Sequence, residues 1–177
     1  MATEFQTRKV AAVFDAMDVD GDGFLTKEDF EQLTARWTGV RELPEDSREY
    51  QSIRDVMMGW WESLSALADE NRDQKISMDE VMKGVDYVIQ DSTQNVATAN
   101  AMFDVIDEDN DGKIGEEEYR HVVTGWKGAD ADTAGIFPQL DLDSDGTISR
   151  DEFLQLWHDF WTGDDESSPA RLVFGPY

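Results

Sequence analysis

Four stretches of the chain repeat one acidic spacing that could hold a hard metal cation. Each places oxygen-bearing side chains at positions one, three and five of a twelve-residue loop, at residues 18–29, 69–80, 107–118 and 141–152. Carboxylate, amide and backbone carbonyl oxygens at this spacing are the ligands that Ca²⁺ takes in proteins. Because four matches are hard to attribute to chance, we expect at least two of the loops to bind Ca²⁺.

The candidate ligands are the side chains at positions one, three, five and twelve and the backbone carbonyl at position seven. They are Asp18, Asp20, Asp22, Phe24 and Asp29 in the first loop, Asp69, Asn71, Asp73, Lys75 and Glu80 in the second, Asp107, Asp109, Asp111, Lys113 and Glu118 in the third, and Asp141, Asp143, Asp145, Thr147 and Glu152 in the fourth. The third and fourth loops follow the pattern fully, with glycine at position six and glutamate at position twelve, so both should bind Ca²⁺ well.

The first two loops each depart from this pattern at one position. Asp29 closes the first loop with a side chain one methylene shorter than glutamate, which makes two-oxygen closure harder and should leave this site the least able to discriminate Ca²⁺ from Mg²⁺. Gln74 stands at position six of the second loop, where a residue with a β-carbon must adopt the left-handed conformation at a cost of about 1–2 kcal/mol. We expect weakened binding there, not its loss.

The charge balance of the chain favours divalent cations as ligands and disfavours polyanions. The 177 residues include 40 Asp and Glu against 15 Lys and Arg, a formal net charge of −25. Such an excess opposes binding to nucleic acid or to an anionic membrane. The absence of cysteine excludes disulfides and thiolate chemistry. No segment resembles a signal peptide or reaches the roughly 18 apolar residues of a membrane span, which predicts a cytoplasmic protein.

The loops must be positioned by helices, because apolar residues recur at helical spacing on both sides of each loop. Val10, Phe14 and Met17 precede the first loop, and Phe30 and Leu33 follow it. The pattern predicts eight helices in four helix–loop–helix units. Loop starts are separated by 51, 38 and 34 residues, so the first interval holds an insertion, with residues 39–50 as a connecting turn before a long helix.

The four loops with their flanking helices strongly resemble the EF-hand family. In that family the apolar residue at position eight pairs two loops through a short antiparallel bridge, and here this position is held by Leu25, Ile76, Ile114 and Ile148. The resemblance implies an all-α protein with loops one and two, and three and four, forming two pairs. We expect a compact body with pairs at residues 1–90 and 91–163, and a C-terminal tail at 164–177 that packs on it.

The long first interval, the aspartate closing the first loop and the appended tail look like the sarcoplasmic calcium-binding protein group, which includes calerythrin-like proteins and calexcitin. We expect a monomer that binds three or four ions as a cytoplasmic Ca²⁺ buffer or signal modulator, because 19 Phe, Trp and Tyr beside 7 Met suit a fixed core better than an adaptable target surface. A protein target is compatible with it but not implied. No catalytic constellation stands out among the acids, serines and two histidines, so an enzyme is not expected.

Two features leave alternatives open. The apolar end of the tail, Leu172, Val173, Phe174 and Tyr177, is either a frayed terminus or a plug in the groove that a sensor would offer to a target helix. The tryptophans are either a packed aromatic core or the lining of a cavity for an apolar small molecule. His158, Trp161 and Tyr177 are loosely similar to the aromatic arrangement of calcium-regulated photoproteins. The alternatives to a buffer are therefore a Ca²⁺ sensor and a luciferin-binding-like carrier.

Overall fold

A computed structural model of the chain describes residues 3–90, 92–128 and 132–176, with the backbone alone for 85–90 and 92–95. Its α-helices are α1 Glu4–Met17, α2 Lys27–Val40, α3 Arg48–Ala68, α4 Met78–Gln90, α5 Ser92–Ile106, α6 Glu116–Lys127, α7 Phe137–Leu140 and α8 Arg150–Thr162. Four two-residue strands lie in the loops: β1 Phe24–Leu25, β2 Ile76–Ser77, β3 Lys113–Ile114 and β4 Ile148–Ser149. The predicted all-α architecture of four helix–loop–helix units is confirmed.

The connection between the first two units is shorter than predicted and the helix after it is long. Helix α2 continues to Val40, so the turn covers residues 41–47 and not 39–50. Ser47 then caps α3, its hydroxyl oxygen accepting from the Tyr50 N–H at 3.1 Å. Helix α3 has 21 residues, six more than α5, and together with the seven-residue turn it lengthens the interval between the first two loops.

The strands join the loops in the predicted pairs. Strands β1 and β2 are antiparallel with Leu25 opposite Ile76, and β3 and β4 are antiparallel with Ile114 opposite Ile148. All four of these side chains are buried. Each pair of loops is therefore fixed back to back by a bridge whose apolar side chains belong to the core.

A single aromatic core joins the two pairs of loops. The Trp60 ring of α3 stacks on the Trp126 ring of α6 at 5.7 Å and lies 6.1 Å from the Trp157 ring of α8. Helix α2 also crosses α6 closely, since Trp37 faces Gly125 there. Because these contacts join residues from both halves of the chain, the halves form one compact body.

The C-terminal tail packs on that body, so a frayed terminus is wrong for residues 170–175. A 3₁₀ helix, Pro169–Leu172, leads into Val173 and Phe174, and the side chains of Leu172, Val173 and Phe174 are buried. The Tyr119 hydroxyl of α6 donates to the Leu172 carbonyl at 2.6 Å. Burial raises the pKa of Tyr119, which keeps this donor protonated. Tyr177, the last residue of the predicted apolar segment, lies outside the described residues.

Phe174 occupies the centre of the aromatic core. Its ring centroid lies 5.3 Å from those of Trp126 and Trp157, 4.8 Å from that of Phe160 and 6.1 Å from that of Trp161. Edge-to-face and tilted contacts at these distances stabilise aromatic clusters beyond their buried area. Trp126, Trp157 and Trp161 thus pack around a residue of the tail, and Trp60 joins them through Trp126 and Trp157. None of the described helices combines the length and apolar character needed to cross a bilayer.

We expect Gly125→Ala to destabilise the contact between the two halves. A β-carbon at this position would lie 3.0 Å from the Trp37 Cα atom, and a backbone atom cannot swing aside. Overpacking of this kind costs about 1–3 kcal/mol of unfolding free energy. Urea unfolding in excess Ca²⁺ measures the loss. Gly59→Ala is the control, since nothing lies within 4 Å of its β-carbon position and helix propensity alone should stabilise it. A Gly125→Ala protein as stable as Gly59→Ala would contradict the close crossing.

Candidate metal centres

The aspartate at position one shapes each of the four loops by accepting hydrogen bonds from backbone N–H groups later in the same loop. Asp18, Asp69, Asp107 and Asp141 accept from the N–H groups of positions five and six at 2.8–3.2 Å. The side-chain oxygens at positions three and five likewise accept from backbone N–H groups two residues further on. These bonds fold each loop around its own carboxylates and fix where their oxygens lie.

Carboxylates converge in three of the loops, as a divalent cation requires. Oxygens of Asp18, Asp20 and Asp22 lie within 4.8 Å of one another in the first loop, as do those of Asp107, Asp109 and Glu118 in the third and those of Asp141, Asp143 and Glu152 in the fourth. Like charges at this separation repel by about 1 kcal/mol per pair even in water. A hard cation with oxygen ligands removes that repulsion, so the donor sets fit Ca²⁺.

The first loop differs from the third and fourth at its closing residue. Glu118 and Glu152 bring an oxygen into the carboxylate group of their loop, whereas the group in the first loop consists of positions one, three and five without Asp29. Asp29 is 1% exposed, and its oxygens accept from Val19 N–H at 3.0 Å and from Thr26 N–H at 2.8 Å. The shorter side chain thus accepts from the same loop amides but does not belong to the group of converging oxygens.

The second loop shows the left-handed strain predicted at position six. Gln74 has φ of +64°, where Gly23, Gly112 and Gly146 take the same conformation without a β-carbon. Position four is left-handed in every loop, at Gly21, Arg72, Asn110 and Ser144, so position six alone distinguishes the second loop. The second loop makes the same internal hydrogen bonds as the others, with the Asn71 amide oxygen at position three in place of a carboxylate. It differs from the other loops in carrying a side chain in the left-handed conformation at position six.

The carboxylate at position twelve accepts hydrogen bonds from the residue at position nine, a contact that was not predicted from the sequence. The Glu80 and Glu152 carboxylates accept from both the backbone N–H and the hydroxyl of Ser77 and Ser149, and Glu118 accepts from the Gly115 N–H at 2.7 Å. These donors lower the pKa of Glu80, led by the Ser77 backbone amide, and keep it ionised. A small residue followed three positions later by Asp or Glu, the capping-box spacing, was the available signal.

Lysines at position seven connect the paired loops electrostatically. The Lys113 ammonium lies 2.9 Å from the Asp145 Oδ2 atom of the fourth loop, and the Lys75 ammonium lies 3.5 Å from Asp22 Oδ2 of the first. Hydrogen bonds from Thr147 and Lys113 lower the pKa of Asp145 to about 2. The backbone carbonyls proposed as ligands come from these segments: Phe24 and Lys113 begin β1 and β3, and Lys75 and Thr147 directly precede β2 and β4.

Comparison with known proteins agrees with this geometry. The family description "EF-hand domain pair" matches residues 7–86 and 96–158. The chain is 33% identical to the sarcoplasmic calcium-binding protein beta chain of Penaeus sp., covering 90% of this chain and 89% of the relative. It is 29% identical to the luciferin-binding protein of Renilla reniformis, covering 97% and 94%. The calcium-loaded apo coelenterazine-binding protein of Renilla muelleri superposes with a TM-score of 0.78 at 26% identity, covering 99% and 100%.

We expect Asp29→Glu to raise the preference of the first loop for Ca²⁺ over Mg²⁺. The longer side chain should let a second oxygen approach the ion, which suits the higher coordination number of Ca²⁺. Calorimetric titration with each ion gives the affinity ratio. Glu152→Asp in the fourth loop is the matched reverse change and should lower the ratio there. An unchanged ratio in Asp29→Glu would show that position twelve does not set the selectivity.

Gln74→Gly should tighten Ca²⁺ binding in the second loop by roughly tenfold. Glycine adopts the left-handed conformation without the cost of about 1–2 kcal/mol that a β-carbon imposes. The control is Gln74→Ala, which removes the amide but keeps the β-carbon and should bind no tighter than the native chain. Equal affinities for the glycine and alanine variants in calorimetry would refute backbone strain as the cause of weak binding.

Proposed function

Since this chain belongs to the EF-hand family of calcium-binding proteins, and within it to the sarcoplasmic calcium-binding proteins, we propose that it acts as a cytoplasmic Ca²⁺ buffer or signal modulator. Three or four ions would be held by the loops at residues 18–29, 69–80, 107–118 and 141–152, through the side-chain and backbone oxygens named for each. The pairs at 1–90 and 91–163 would act as the two binding units of a monomer. Ca²⁺ is its ligand, and no reaction chemistry is proposed.

The position of Phe174 is the observation that favours a buffer over a sensor. A sensor must separate its helices to expose an apolar groove on Ca²⁺ binding, whereas buffers barely open. Phe174 contacts α6 and α8 at once through Trp126, Trp157 and Phe160. A tail residue inserted between these helices occupies the surface on which a target helix would dock, and its burial opposes opening.

The tail is also fastened at several points of its length. Tyr119 binds the Leu172 carbonyl. Gly175, with φ of +90°, packs so closely that an added β-carbon would lie 2.8 Å from Val123 Cγ1. Before the 3₁₀ helix, Glu166 pairs with Arg8 of α1 at 2.6 Å. These contacts hold the tail against both α1 and α6, which supports a closed form that persists when the loops take up ions.

Carriage of an apolar small molecule is the second candidate, and one structural observation favours it. Within the described part of the chain the indole N–H of Trp161 is buried without a hydrogen-bond partner, beside Phe174. Two relatives are named for binding luciferin and coelenterazine. A ligand in this region would have to displace Phe174 and could use that N–H group. A chain that purifies with a chromophore, or whose tryptophan fluorescence is quenched by added coelenterazine, would favour the carrier.

Binding of a hydrophobic dye tests the buffer proposal. The native chain should bind little dye and change by less than about twofold on Ca²⁺ addition, because a buffer opens little on loading. Removing residues 170–177 should increase dye binding in the Ca²⁺-loaded state by uncovering Trp126, Trp157 and Phe160. Removing residues 176 and 177 alone leaves Phe174 in place and serves as the control. Phe174→Ala tests the same contact if the deletion does not fold.

A large Ca²⁺-dependent rise in dye binding by the native chain would reverse the choice in favour of a sensor. If deleting residues 170–177 does not increase dye binding in the Ca²⁺-loaded state, the tail does not cover the apolar groove as proposed.

A further inference from the structure

An ion pair connects the first half of the chain to the third loop. Arg41 directly follows α2, and its Nε atom lies 3.1 Å from the Oε1 atom of Glu108, position two of the third loop. The Arg41 side chain is 9% exposed, and its guanidinium also donates to the Val105 carbonyl at 3.4 Å. The Glu108 side chain is 23% exposed, so the pair is partly shielded from solvent and is screened less by salt than a surface pair. The planar guanidinium group also gives the pair a defined geometry.

Glu108 in turn holds the closing carboxylate of the third loop. Its backbone N–H donates to Glu118 Oε1 at 2.8 Å, and its own carboxylate lies 3.0 Å from the Nδ1 atom of His121 on α6. Arg41 therefore fixes a residue that is itself bonded to the position-twelve glutamate and to the exit helix of the loop. Two contacts separate the end of α2 from a candidate metal ligand in the other half of the chain.

The N-terminal end of α2, opposite Arg41, contains a candidate metal ligand. Asp29, which closes the first loop, lies in the first turn of α2. Arg41 follows twelve residues later, about 18 Å along the helix axis at 1.5 Å per residue. Because a helix moves as a unit, a shift at the first loop reaches Arg41. The same helix crosses α6 at Gly125, which keeps it in register with the third loop.

The second loop offers a contrast at the same loop position. Glu70 at position two pairs with Lys83 at 2.7 Å, but Lys83 belongs to α4 of the same half, and the two side chains are 60% and 59% exposed. Position two of the first and fourth loops is held by Val19 and Leu142, which have no charge. Among the four loops only the third carries a charged position two that is partly buried and paired with a residue of the other half.

We propose that Arg41 is a positioning residue that couples the first loop to the third, so that occupancy of the first loop raises the Ca²⁺ affinity of the third. Favourable coupling between sites needs a structural element that both sites bias, and α2 with its Arg41–Glu108 contact is that element. The inference rests on Ca²⁺ binding by the loops, the premise of the proposed function, and adds how two of the sites influence each other.

Amide resonances provide a separate readout for each loop. The Gly112 N–H donates to Asp107 and the Gly146 N–H donates to Asp141, so each amide senses the ligand group of its own loop. A Ca²⁺ titration of ¹⁵N-labelled protein gives the midpoint for the third and fourth loops in one sample. The quantity of interest is the Ca²⁺ concentration at the Gly112 midpoint when Asp18→Ala disables the first loop, divided by the same concentration when the first loop is intact.

In the native chain we expect this ratio to be about fivefold or more, which begins at the lower end of the usual range of coupling energies. In Arg41→Met it should fall to about one. Removing the arginine also removes a positive charge near the third loop, but both members of the ratio carry that change, so it cancels. Lys83→Met is the matched control, which breaks the pair at position two of the second loop and should leave the ratio at its native value.

A native ratio of one would overturn the inference, because the two loops would then be uncoupled. A ratio that Arg41→Met leaves unchanged would also overturn it, because the coupling would then be carried by the α2–α6 packing. Glu108→Gln removes the same contact from the other side and replaces Arg41→Met if that variant does not fold. The two proposals fail differently. If neither Gly112 nor Gly146 responds to Ca²⁺, the proposed function fails, whereas a normal Gly146 titration with an uncoupled Gly112 rejects only the role of Arg41.

Discussion

The structure depends on holding like charges together before a cation neutralises them. Carboxylates that would separate in a flexible chain are kept within 4.8 Å of one another in three loops. Backbone amides of the same loops supply most of that restraint, since each acidic side chain at positions one, three and five accepts from an N–H group further along its loop. A loop prearranged in this way loses less conformational entropy on binding, which is how preorganisation raises affinity.

The rest of the fold keeps the loops from relaxing. Two-residue bridges such as Leu25 with Ile76 tie each loop to its partner. The helices that leave the loops bury their apolar faces in one core, in which Trp60 of the first half stacks on Trp126 of the second. Phe174 fills the centre of that core from the tail. The same packing that supports the metal centres therefore limits how far the helices separate, and so favours uptake of ions over display of a groove.

Much of this follows from sequence because the relevant interactions are local. The twelve-residue spacing, the apolar position eight and the left-handed conformation at Gln74 are properties of single loops, and the structure confirms the pairing and that conformation. The contacts that sequence could not supply join distant residues. Tyr119 with Leu172 and Arg41 with Glu108 are 53 and 67 positions apart, and no periodic pattern marks either pair. The length of the turn at residues 41–47 was also missed, because Gly39 lies within the helical residues of α2.

The most direct test of the account is the number of ions that a chelator-stripped chain takes up, counted by native mass spectrometry at micromolar Ca²⁺ in the presence of millimolar Mg²⁺. Loops that preassemble their carboxylates should retain at least the two ions of the third and fourth loops, with further ions as the Ca²⁺ concentration rises. A chain that remains free of Ca²⁺ throughout would contradict the claim that these acidic groups are metal centres.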